Sequence, residues 1–178
     1  MSELNPIIDF YLRGFPIINP LILLVYGLIY NKKYFIKYIF LATIIDLISV
    51  KSLKYMTKQL YNFLDVETLP ILGLGRRPDG AISCGLYKDN KPSDSFGMPS
   101  GHALFCGFSF VYWYYYLCEN SQSKYKKIII FILFIINCLL ALSRVYLGCH
   151  TIEQVIVGFI IGSFIAFILN YVNKNLKI

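Results

Sequence analysis

IIIFILFIINCLLALSRVYLGCHTIEQVIVGFIIGSFIAFILNYV, residues 128–172, is two apolar runs folded around one short turn. Ile128 to Arg144 and Thr151 to Val172 are each nearly free of internal charge, and each approaches the roughly 20 residues a helix needs to cross a bilayer. Val145 to Cys149 is long enough only to reverse the chain, so the runs predict two antiparallel membrane helices. The turn is bracketed by Arg144 and His150, which it delivers to one membrane face.

Working outward, three more segments carry the same signal. Ser100 to Leu117 is nearly free of internal charge; Phe35 to Val50 carries Lys37 near one end and Asp46 near the other; Ile17 to Tyr30 is shorter, with Pro20 where a helix start tolerates it. Asp46 is costly in such a segment and is expected either to pair with a nearby basic residue or to serve function. With 57% hydrophobic and 15% charged residues, a soluble chain of this size would expose more apolar surface than its core can hide. The expected fold is all-α: an integral membrane helical bundle of about five transmembrane helices in one domain, residues 1–178, with one long extracytoplasmic loop. Tyr26, Tyr30, Tyr34, Tyr38 and the run Tyr112 to Tyr116 around Trp113 read as aromatic belts at the headgroups.

The net charge of +7 comes from short lysine clusters beside apolar runs, a pattern of membrane flanks that excludes a nucleic-acid partner. Five spans put Lys32, Lys33, Lys124, Lys126, Lys127, Lys174 and Lys177 on one side with the C-terminus, and the positive-inside rule makes that side cytoplasmic. The other side is then lumenal or extracellular. Met1 to Arg13 lacks the basic patch and small-residue cleavage site of a cleaved signal, so the first helix itself is expected to target the chain. Cys106, Cys118 and Cys138 fall in apolar segments as small hydrophobes, whereas Cys84 and Cys149 lie outside them, where a disulfide and two free thiols suit the sequence equally.

The stretch Lys51 to Pro99 is the one large polar segment, and Gly73, Gly75, Arg76, Arg77, Pro78 and Gly80 form in it a turn-rich basic cluster suited to an anion. The chain has two histidines, and both fall at predicted helix starts on the extracytoplasmic side. His102 follows Gly97-Met98-Pro99-Ser100-Gly101, a sharp entry into a helix whose free amides favour phosphate. Either histidine alone reads as an interfacial polar residue. Together with Arg77, Arg144 and the Ser100-Gly101 entrance they supply a nucleophile, an acid and charge stabilisation for phosphoryl transfer.

Arg77-Pro78, Pro99-Ser100-Gly101-His102 and Ser143-Arg144-(five residues)-His150 resemble, in order and spacing, the three signatures of the type 2 phosphatidic acid phosphatase superfamily. The resemblance covers about Lys51 to Gly158 and implies that His150 attacks phosphorus, that His102 protonates the departing oxygen, and that Arg77, Arg144, Ser100 and Gly101 hold the phosphoryl oxygens. It implies no metal and no other cofactor, and the sequence separately lacks carboxylate or Cys-His ligand clusters.

Two positions depart from the family pattern. Pro70 stands where the family has the lysine of its first signature; Lys54, and after it Lys58, are the candidates to replace it, with Arg76 able to substitute for its charge. Gln154 stands where the third signature has aspartate; its oxygen can accept the imidazole proton and fix the tautomer, and Gln154→Asp is expected to be tolerated. Glu153 is adjacent but faces another way on a helix. Phe96 to Ser100 with His150 to Val155 resembles the dolichyl diphosphatase branch, which implies a polyprenyl diphosphate substrate, a lumen-facing site and the endoplasmic reticulum. The expected function is a metal-independent lipid diphosphate phosphatase; phosphatidic acid or another lipid monophosphate is the alternative substrate, and an inactive lipid-binding membrane protein the alternative class. The five apolar segments exclude a soluble vanadium haloperoxidase, which shares the motifs. The expected partners are the lipid substrate and the bilayer, with the oligomeric state open.

Overall fold

A computed structural model describes residues 5–82, 84–87, 89, 91–93 and 95–176; the side chains of Asp46, Leu47 and Leu176 lie outside the described set, and with them the expectation about an Asp46 ion pair. The chain forms α1 (Pro6–Ile29), α2 (Lys33–Ile44), α3 (Lys51–Leu64), a hairpin of β1 (Thr68–Leu69) and β2 (Gly73–Leu74), α4 (Gly101–Asn120), α5 (Lys126–Tyr146) and α6 (Ile152–Leu176). A π-helical stretch, Ile45–Val50, joins α2 to α3 without a break in helical backbone. Helices α1, α5 and α6 are long and apolar enough to cross a membrane by length and composition.

Two boundaries differ from the sequence expectation. The first helix does not begin near Ile17 with Pro20 at its start; Pro6 takes that place, Asn5 accepts the free amide of Ile7 at 2.9 Å, and Pro16 and Pro20 lie inside the helix. Within the added turns Arg13 Nε donates to Asp9 Oδ2 one turn away at 2.9 Å, so the two charges neutralise each other. The second helix does not end with the apolar run at Val50 but continues through α3, so part of the expected loop is helical. Asp65, in the left-handed conformation at φ 52°, stops it.

α4 is the axis of the molecule. Its first turns, Ala103 to Ser109, are buried, and it packs along α6 at backbone contact. A methyl group on Gly107 would collide with the Phe159 carbonyl, and one on Gly162 with the Leu104 carbonyl. Small residues permit such an approach, which helices in lipid need because apolar side chains gain nothing there by leaving solvent. Phe15, Tyr38, Phe105 and Phe108 fill the space between α1, α2 and α4, and the Tyr38 and Ser109 hydroxyls lie 2.6 Å apart. The outer faces are apolar and exposed, as at Phe131 and Ile160, which suits a surface in contact with acyl chains.

The two ends of the bundle are chemically different. At one, Lys37 Nζ donates to Asn173 Oδ1 and Lys174 pairs with Glu119. At the other, the start of α1, the end of α3, the hairpin, the start of α4 and the α5–α6 turn converge. A disulfide joins Cys84 to Cys149 there, with a Cα–Cα distance of 5.6 Å, which decides between the two states the sequence allowed. Cys106, Cys118 and Cys138 are free, and Cys118 is exposed.

Candidate active site

At the end that carries the disulfide, a cavity of about 220 Å³ is lined by Arg13, Lys54, Arg77, Gly101, His102, Arg144 and His150, among others. It gathers residues from α1, α3, the loop after β2, α4 and the α5–α6 turn, elements that only the bundle brings together.

His150 sits just before α6, 4% exposed, its backbone folded back so that its amide donates to the Arg144 carbonyl. Its Nδ1 lies 2.9 Å from Gln154 Oε1 and its Nε2 lies 3.1 Å from Arg77 Nη1. A guanidinium only donates, so Nε2 is the acceptor and the proton resides on Nδ1. Burial first, and then the charge of Arg77, hold the imidazole far below the usual histidine pKa. The ring is therefore a neutral base whose Nε2 lone pair, at the cavity, is held by Arg77.

Gln154 fixes that tautomer from a fully buried position. Its Nε2 donates to the Leu74 carbonyl at 2.7 Å and the Arg76 carbonyl at 2.6 Å, so the amide has one orientation, with Oε1 turned to His150. Thr151 Oγ1 accepts the Gln154 amide at 3.4 Å and caps the helix that carries it. The geometry bears on the expectation that Gln154→Asp is tolerated. A carboxylate is one methylene shorter, donates nothing and would leave two buried carbonyls without partners.

Arg77 spreads its donors over Ser95, with Nη2 2.8 Å from Ser95 Oγ, and over the Cys149 carbonyl, 2.8 Å from Nη1. Arg144, 1% exposed, donates to the Cys84 carbonyl at 2.9 Å and more weakly to the Leu12 carbonyl at 3.4 Å, while its buried Nε has no partner among the described residues. Both arginines thus hang on carbonyls of the two disulfide-bonded cysteines. Among the described residues no carboxylate pairs with Arg77, Arg144 or Lys54. Cations withdrawn from solvent, Arg144 fully and Arg77 and Lys54 in part, and held only by neutral acceptors are a site for an anion.

Ser100, fully buried, caps α4 and receives no exposure to the outer solvent; its amide donates to the Gln154 carbonyl at 3.1 Å. Gly101 and His102 begin the helix, whose free amides and dipole end point at the cavity. His102 Nε2 lies 2.9 Å from the Arg13 carbonyl and its ring packs edge-on against Phe15. This leaves Nδ1 as the nitrogen available to a ligand.

Of the three candidates for the displaced lysine, Lys54 lines the cavity, held by a 2.6 Å bond from Nζ to the Phe96 carbonyl. Burial, then Arg77 and then Arg144 lower its pKa to about 7. Lys58, one turn farther along α3, is exposed and lines not this cavity but a surface cleft that shares Arg77 with it. Arg76 does not line the cavity: it is exposed and pairs with Asp79 at 2.8 Å and Glu67 at 3.5 Å on the outer surface. The reading of residues missed Arg13, Asp9 and Ser95. The i, i+4 spacing of Asp9 and Arg13 inside an apolar stretch was a usable signal for the first two; Ser95 carries none.

Residues 35–178 match the family described as the PAP2 superfamily. Over 85 residues the chain is 33% identical to phosphatidylglycerophosphatase B of Bacillus subtilis, covering 47% of this chain and 42% of that protein. Over 80 residues it is 35% identical to dolichyldiphosphatase of Saccharomyces cerevisiae, covering 43% of this chain and 34% of that protein. The matched stretches therefore span less than half of either relative. No solved structure matches the chain. With a family match that runs from the start of α2 to the end of the chain and a cavity built from the three signature segments, this protein belongs to the PAP2 superfamily.

Proposed function

We propose that the protein is a membrane phosphatase that hydrolyses a lipid-linked diphosphate of the polyprenyl type through a phosphohistidine intermediate. The observation that carries this reading is the His150 arrangement: a buried neutral imidazole, its proton held on Nδ1 by Gln154, its Nε2 facing a cation-lined cavity. A phosphoryl group entering the cavity takes the donors of Arg77, and Nε2 is released to attack the terminal phosphorus. The N–P bond forms as the P–O bond to the lipid phosphate breaks; His102, its Nε2–H held by the Arg13 carbonyl, protonates that departing oxygen from Nδ1 with a proton taken up together with the anionic substrate. Water then attacks the phosphohistidine, giving up its proton to His102, and orthophosphate leaves. Arg77, Arg144, Lys54 and the Gly101 amide hold the charge throughout, Ser100 capping the helix that presents Gly101, and the chemistry is complete without a metal ion.

The tail has a place beside this site. An apolar cavity of about 430 Å³ between α1, α2, α4 and α5 is lined by Phe15, Ile22, Leu23, Trp113 and Leu133. The site end is assigned to the lumenal or extracellular side, because Lys32, Lys33, Lys124, Lys126, Lys127 and Lys174 cluster at the opposite end and the disulfide suits an oxidising compartment. The similarity to yeast dolichyldiphosphatase favours the diphosphate and the endoplasmic reticulum. The similarity to a phosphatidylglycerophosphatase supports a second reading, a lipid monophosphate handled by the same residues.

The test is phosphate release by detergent-purified protein, with EDTA present, from farnesyl diphosphate and phosphatidic acid side by side. Faster release from the diphosphate, lost in His150→Ala, is expected. Preference for phosphatidic acid would replace the substrate; dependence on added metal would remove the mechanism; and no release from either would favour an inactive lipid-binding protein.

A further inference from the structure

Arg13 lies in α1, ahead of the family-matched residues 35–178, and lines the cavity at 8% exposure. Its Nε is held by Asp9, and the charges of both residues lie near enough to act on Arg144. Two signature residues reach the backbone on either side of it, Arg144 bonding to the Leu12 carbonyl and His102 to the Arg13 carbonyl. α1 is thus attached to the site through the proposed proton donor and Arg144, not through the nucleophile.

This placement has a chemical consequence. In an in-line displacement the nucleophile and the leaving group lie on opposite sides of phosphorus, so the His102 side is the leaving-group side. A monophosphate ester releases a neutral alcohol there. A diphosphate releases a lipid phosphate, whose charge grows as the P–O bond breaks. We propose that Arg13, oriented by Asp9, binds the phosphate of the leaving group and so selects diphosphates over monophosphates. The inference rests on the phosphatase reading for its chemistry, but it makes a claim about binding that stands apart from turnover.

The experiment compares inorganic pyrophosphate with orthophosphate as stabilisers of the detergent-purified full chain, read as concentration-dependent shifts in thermal midpoint, for wild type, Arg13→Met and Arg13→Lys. Wild type is expected to bind pyrophosphate more tightly; Arg13→Met is expected to lose about tenfold in pyrophosphate affinity while keeping its orthophosphate affinity. Arg13→Lys, which keeps the charge without the fork, falls between and decides the matter should the methionine variant not fold. No pyrophosphate preference in wild type, an unchanged preference in the variants, or equal weakening of both anions would overturn the proposal, the last marking Arg13 as a prop for His102. Turnover separates the two claims. Arg13-dependent pyrophosphate binding without phosphate release from farnesyl diphosphate or phosphatidic acid would sink the phosphatase reading and leave this one standing.

Discussion

Gln154 touches four groups at once, the imidazole of His150, the Thr151 amide and the carbonyls of Leu74 and Arg76, and thereby ties the nucleophile's tautomer to the loop that carries Arg77. Gln154→Ala should slow phosphate release by about 10- to 100-fold, the effect of losing buried hydrogen bonds worth roughly 1.5–3 kcal/mol, while His150→Ala should abolish it. Gln154→Asp should fare no better than the alanine, and a rate close to wild type would show that the two carbonyls are dispensable. At Lys54 the sign of the pH effect follows from its lowered pKa. Burial and the neighbouring arginines oppose its charge, so in the free enzyme it is protonated below about 7 and loses its proton above. Phosphate favours the charged form, so orthophosphate inhibition should weaken as pH rises through that value, and Lys54→Met should remove this step. Inhibition that steepens with pH would assign the titration elsewhere.

At the scale of elements, the α5–α6 turn and the loop after β2 act as one piece because the Cys84–Cys149 disulfide joins them, and each cysteine's carbonyl holds one arginine of the site. Cys84→Ser, or reductant, should lower stability by about 2–4 kcal/mol and weaken phosphate affinity with it. A fall in thermal midpoint with unchanged phosphate affinity would make the link structural only. The α4–α6 contact admits no side chain at Gly162, where a methyl meets the Leu104 carbonyl; Gly162→Ala should cost about 1–3 kcal/mol, measured by thermal unfolding in detergent. Elements were legible in the sequence where a run was long and uncharged, as in α5 and α6. They were misjudged where charge stood inside a helix: hydropathy counts Asp9 and Arg13 singly, whereas the fold pairs them. α3 escaped because its polar face serves the site and water rather than lipid, which removes the apolar signal without removing the helix.

For the whole molecule, the three signature segments were legible because phosphoryl chemistry restricts residue types and their spacing; what was not legible was how far apart in sequence their helpers stand. Lys54 reaches the cavity from α3 and Arg13 from α1, and only the packing of the bundle decides that Lys54 faces in while Lys58 and Arg76 face out. Orientation is testable at this scale too: a cysteine placed at Ser123, in the turn before α5, should be labelled from the cytoplasmic side, and labelling from the opposite side would invert the assignment. The central claim is covalent catalysis by His150, and the most direct measurement is rapid quenching of turnover with a diphosphate labelled in its terminal phosphate. An acid-labile, base-stable label on the wild-type protein, mapped to His150 and missing from His150→Ala, is the result this account predicts. Steady release of phosphate with no label on the protein at any quench time would contradict it.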